Sequence, residues 1–97
     1  DENQQKIIEL ATQGNPKAVA MIINRLLEKQ GIKVIAARKN DYIHIVLESE
    51  QVPNPEIVTP AVEQKIASLQ SEYLKNIKIH GRQLGSKSII WTKTILL

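Results

Sequence analysis

Apolar residues first recur at helical spacing. Ile7, Ile8, Leu10 and Ala11 give a short segment one apolar side, and Gly14 suits its end because glycine takes a positive φ at no steric cost. Asn15 then offers a side-chain oxygen to the orphan amides of a new helix, and Pro16 fits the first helical position, where no donor is missed. Val19, Ile22, Ile23, Leu26 and Leu27 share a side, Lys17, Asn24, Arg25 and Glu28 lie opposite, and Gly31 closes the segment; the spacing predicts a helix over 16–30. From Ile32 the period drops to two and β-branched residues appear. A strand to about Lys39, a tight turn at Asn40-Asp41 and a return strand from Tyr42 to about Glu48 follow. On the return strand Ile43, Ile45 and Leu47 share one face, and Tyr42, His44 and Val46 the other.

The same order of elements then repeats. Gln51 to Pro55 forms a linker, and Ile57, Val58, Ala61, Val62, Ile66 and Leu69 mark the buried side of a second helix running to about Leu74. Pro60 lacks the N–H that would bond four residues back, so either this helix begins afresh with Thr59 as cap or its first turn is bent. A second hairpin follows, Asn76 to about Gln83 and Ser88 to Leu96, turning at Gly85-Ser86-Lys87. The predicted fold is α+β: one domain over 1–97, with a peripheral helix in 1–14 and tandem αββ units over 15–50 and 51–97. A four-stranded antiparallel sheet carries both long helices on one face. The expected core is Val19, Ile23, Leu26, Ile43, Ile45, Leu47, Val62, Ile66, Leu69, Ile77 and Ile79; strand order is left open.

Composition narrows the chemistry. Apolar residues make up 42% of 97 positions, enough for one core of two layers, and with no Phe, one Trp and two Tyr that core is aliphatic. The absence of Cys excludes disulfides and thiolate chemistry and suggests a reducing, cytoplasmic setting. No apolar run approaches the ~18 residues of a membrane span, and Asp1-Glu2-Asn3-Gln4-Gln5 does not read as a signal peptide. The missing initiator Met suggests a processed chain or a domain of a longer protein. The net charge of +3 is unevenly spread: residues 75–97 carry Lys75, Lys78, Arg82, Lys87 and Lys93 and no acid. This basic hairpin either attracts an anionic partner or simply solvates the strands.

No catalytic constellation is expected, and no cofactor or metal. Gly81-Arg82-Gln83-Leu84-Gly85-Ser86-Lys87-Ser88 falls one residue short of a phosphate-binding loop, since Ser86 stands where that motif needs Gly and a strand follows instead of a helix. His44 and His80, both on strands, have no Cys or acid at ligand spacing. The best candidate surface is the sheet face away from the helices together with the basic hairpin: Tyr42, His44, Lys78, His80, Arg82, Lys87, Trp91 and Lys93, with Lys33 beside them. Aromatic planes and cations on an open sheet serve single-stranded nucleic acid binders, though one Trp and no Phe make a thin platform. A protein-contact face is the alternative, and an unliganded surface the third.

In the segments Gly14-Asn15-Pro16-Lys17-Ala18-Val19-Ala20, Ile23-Asn24-Arg25-Leu26, Leu47-Glu48-Ser49, Val52-Pro53 and Lys78-Ile79-His80-Gly81-Arg82-Gln83-Leu84-Gly85, and at Trp91, the chain resembles a small module of cyanobacterial proteins of mixed domain content. The resemblance covers 14–97 and brings no assigned activity or site residues. It implies fusion to other domains and a supporting role. The last strand, ending Thr94-Ile95-Leu96-Leu97, is more apolar than in that module, so a partner is expected to cover its edge. The expected function is a non-enzymatic accessory or regulatory protein-interaction module whose partner is another protein or a fused domain, with a homo-oligomer also compatible; the alternative is single-stranded nucleic acid or another polyanion.

Overall fold

The computed structural model describes residues 1–97. Helix α1 (Glu2–Thr12) starts where the Asp1 side chain accepts a bond from the Gln4 amide at 2.9 Å, and it buries Ala11 completely. The chain reverses at Gly14, whose φ is +87°. The Asn15 side chain then caps α2 (Pro16–Leu27) by accepting from the Ala18 amide at 3.0 Å, as expected. A 3-10 turn over Glu28–Gln30 tightens the end of this helix before Gly31 stops it. Helix α2 buries Ala18, Val19, Ile23 and Leu27. Leu26, expected in the core, is 39% exposed, because the 3.6-residue period that seats Val19, Ile23 and Leu27 points its neighbour away from the sheet.

Strands β1 (Lys33–Lys39) and β2 (Tyr42–Ser49) form the first hairpin, with Asn40 in the left-handed conformation (φ +58°) that its two-residue turn demands. Helix α3 (Pro55–Ser68) is capped by Asn54, whose side chain accepts from Glu56 N at 3.0 Å, and it runs continuously through Pro60, so Thr59 starts no new helix. It ends well before the expected residue 74. Gln70 turns left-handed (φ +50°), and the buried Ser71 hydroxyl donates to Thr12 O while accepting from the Tyr73 amide, tying the loop to the end of α1. Strands β3 (Asn76–Gln83) and β4 (Ile89–Leu96) complete a sheet of order β1-β2-β3-β4.

The sheet is mixed, which corrects the antiparallel expectation. Both hairpins are antiparallel, but β2 and β3 pair in parallel, Ile43 opposite Ile77 through Ser49 opposite Gln83. The reason lies in α3: one crossing helix carries the chain from the end of β2 back to the level of its start, so the next strand runs the same way. Ile43, Ile45 and Leu47 on β2 and Ile77 and Ile79 on β3 are all fully buried, and with Val58, Val62 and Ile66 of α3 and the buried side of α2 they form one cluster on the helix-covered face. Leu69 packs against its margin. Arg38 of β1 binds this layer together, its Nη2 donating to Tyr73 O at 3.0 Å and to Gly14 O at 3.3 Å.

Candidate functional site

Since alternate residues face alternate sides, the pairing that buries Ile43, Ile45, Ile77 and Ile79 presents Tyr42, His44, Val46 and Glu48 of β2 and Lys78, His80 and Arg82 of β3 on the uncovered face. Lys33 lies opposite Glu48 and joins them there. These side chains pair with one another. The Lys78 ammonium stands 5.0 Å from the centre of the Tyr42 ring, within cation–π range. Glu48 and Arg82 are directly opposite, and Nε donates to Oε2 at 2.8 Å with the side chains only 14% and 22% exposed.

His44 and His80 are diagonal neighbours across the parallel seam. His44 Nδ1 and His80 Nε2 are 2.9 Å apart, and His80 Nδ1 is 2.8 Å from Thr92 Oγ1 on β4. The ring planes are 3° from parallel with centres 5.2 Å apart. Parallel rings whose nitrogens approach so much more closely than their centres meet edge to edge, as a direct N–H···N bond requires. Such a bond needs one bare nitrogen, so it cannot survive a full positive charge on both rings.

Burial, then the nearby His44 and Lys78, hold the His80 pKa below its ordinary 6.5. As the pH falls, the unfolded chain takes up this proton first. The stability contribution is therefore complete above about pH 6.5, declines as pH drops below it, and levels off once the folded-state pKa is passed. Thermal melts from about pH 8 to about pH 5 are expected to show Tm falling with acidity and the slope flattening in His80→Gln. A wild-type Tm that is constant across that window would refute this role for the pair.

Of the residues expected on this surface, Tyr42, His44, Lys78, His80 and Arg82 come together. Lys87 lies apart and exposed in the β3–β4 turn. Trp91 and Lys93 are on the opposite side, a correction with a definite cause. Near the turn Arg82 pairs with Ile89, but a bulge at Gly81/Arg82 inserts one residue, so beyond it Gly81 pairs with Trp91 and His80 with Thr92. A one-residue shift exchanges the two faces. The Trp91 ring instead lies over Gly81, and its Nε1–H donates to Pro53 O at 2.8 Å. Thr92 and Glu48, which complete the histidine and arginine contacts, were not among the residues expected on this surface; only the register reveals them.

The two sheet edges differ. Strand β1 carries Lys33, Arg38 and Lys39 and exposes one large apolar residue, Ile35, whereas β4 exposes three, Ile89, Ile90 and Leu96 (43%, 62% and 70%), with Lys93 as its one charge. The Leu97 amide bonds to Lys75 O, so by the alternation of an antiparallel ladder the amides of Leu96, Thr94 and Thr92 point away from β3 toward solvent. His, Cys, Asp and Glu nowhere gather in groups of three that could hold a metal ion. No helix is long and apolar enough to cross a membrane. No family model, no curated protein and no solved structure matches the chain.

Proposed function

We propose that the chain is a non-enzymatic, accessory protein-interaction module that accepts an extended, acidic segment of a partner protein as a fifth strand beside β4. The observation that carries this reading is the free outer edge of β4, a full-length strand with unpaired outward amides and exposed Ile89, Ile90 and Leu96. Such an edge is a template for another strand, and proteins usually blunt it with charge, as β1 does here. Charge selects the occupant. Residues 75–97 hold five cations and no acid, so two copies pairing edge to edge would bring like charges together, whereas an acidic strand would neutralise Lys87 and Lys93.

The nucleic-acid alternative is less well supported. Trp91 is turned to the covered side, Lys78 rests on the Tyr42 ring, and Arg82 is engaged by Glu48. We read the twofold αββ order as an internal repeat and the module as one part of a larger, cytoplasmic, regulatory protein, in keeping with the cyanobacterial module it resembles.

An extended peptide of alternating Glu and Val is the probe. Its addition at low salt is expected to protect the Thr92 and Thr94 amides from hydrogen exchange. Thr94→Pro removes one outward donor without touching the ladder to β3, and it should weaken binding about tenfold or more while leaving Tm nearly unchanged. Absence of protection, dimerisation through β4 in light scattering, or a mixed-sequence oligonucleotide binding where the peptide does not would each overturn the proposal.

A further inference from the structure

A second surface lies on the helical layer, away from the sheet. Helix α2 is apolar on two sides: Val19, Ile23 and Leu27 face the strands, Met21 and Leu26 face outward, and Ile22 lies half-buried at the margin between them. A helix apolar on both sides is normally covered on both. Helix α1 covers α2 only in part. Between them and the end of α3 lies a half-open groove of about 480 Å³ floored by Ile7, Ile8, Met21, Ile22, Leu26 and Leu69. Ile8, Met21 and Leu26 remain 42%, 50% and 39% exposed.

The charges lining this groove are of one sign. Arg25 on α2 and Lys65 on α3 line it, no acidic side chain does, and neither cation is in an ion pair, since the chain's one salt bridge joins Glu48 to Arg82. An occupant must therefore present an apolar stripe flanked by carboxylates. A half-open groove walled by helices leaves most of a small ligand in water, whereas small-molecule sites bury nearly all of theirs. It matches the narrow apolar face of a helix, whose other side can stay solvated. The flexible thioether of Met21 suits a surface that must fit another helix.

We propose that this groove docks an acidic amphipathic helix of a partner protein. The proposal rests on reading the chain as an interaction module, but it uses a surface separate from β4 and fails separately. The chain's single Met makes the test direct, because the Met21 methyl carbon resonance reports on the groove alone. The probe is a helical peptide of about 15 residues with Leu at i, i+3, i+4 and i+7 and Glu on both flanks; its control carries Lys in place of Glu. The acidic peptide is expected to shift the Met21 methyl, and the basic one is not. In the Arg25→Glu, Lys65→Glu double variant, both changes being at exposed positions, affinity for the acidic peptide should fall about tenfold and the preference should invert.

Equal binding of both peptides, or of neither, overturns the proposal. So does a Met21 shift produced by decanoate but not by the acidic helix, which would mark a site for aliphatic carboxylates, or a shift that appears on concentrating the protein alone, which would mark self-association. Thr94→Pro should leave the Met21 response intact. A failed β4 experiment beside an intact Met21 shift, or the reverse, shows which surface was misread.

Discussion

Ile79→Ala is expected to cost about 3–4 kcal/mol, measured as the loss of unfolding free energy in urea. Ile79 sits opposite Ile45 at the centre of the parallel pair, both are fully buried, and both belong to the cluster shared by α2, α3 and the sheet. Removing its outer carbons loses their burial and leaves a cavity, because strands fixed on both sides cannot close in. Domains of this size have total stabilities of about 5–15 kcal/mol, so the variant approaches its folding limit. Ile79→Val, which removes one methyl, should cost about 1 kcal/mol. If Ile79→Ala loses less than about 1 kcal/mol, β3 is not the centre of the core.

Gly81→Ala is expected to cost about 2–3 kcal/mol although it adds a single carbon. A Cβ at this position would lie 2.2 Å from Nε1 and Cε2 of Trp91. The ring cannot swing aside cheaply. Its Nε1–H is held by Pro53 O, and its body packs against the buried cluster. The requirement for glycine here comes from close approach across the hairpin, since Gly81 has no positive φ. In a Trp91→Val background the same substitution should be nearly neutral. Equal costs in the two backgrounds would show that the ring is not the cause, a comparison that a double-mutant cycle makes directly.

Much of the local structure could be read from single residues. Asn15-Pro16 starts a helix, Gly14, Gly31 and Asn40 take left-handed conformations, and strand alternation correctly grouped Tyr42, His44, Lys78, His80 and Arg82. What could not be read depends on distant parts of the chain. Whether β2 and β3 run parallel depends on where α3 returns the chain, which no residue within either strand encodes. The bulge at Gly81/Arg82 is one residue in extent, yet it moves Trp91 and Lys93 to the other face. Local spacing cannot tell Leu26 from Leu27 because both are apolar and adjacent; only docking on the sheet sets the rotation of α2. The outward groove was missed for the same reason, since Met21, Ile22 and Leu26 look like core until the helix is placed.

The parallel seam also sets the cost of assembly. The first hairpin closes over the two residues Asn40 and Asp41, whereas β2 and β3 meet only after residues 50–75 have been brought round. On loop-closure entropy alone, the longer closure costs roughly 2 kcal/mol more, and α3 must dock before it is repaid. The side-chain links that bridge this seam are His44 with His80, Glu48 with Arg82, Tyr42 with Lys78 and, at the two ends, Asn76 with Asp41 O and Gln83 with Glu50 O. They join the part of the sheet that chain entropy favours least. The polar face thus acts as a clasp between two locally formed halves, and acid that charges His80 loosens the molecule where its closure is most expensive.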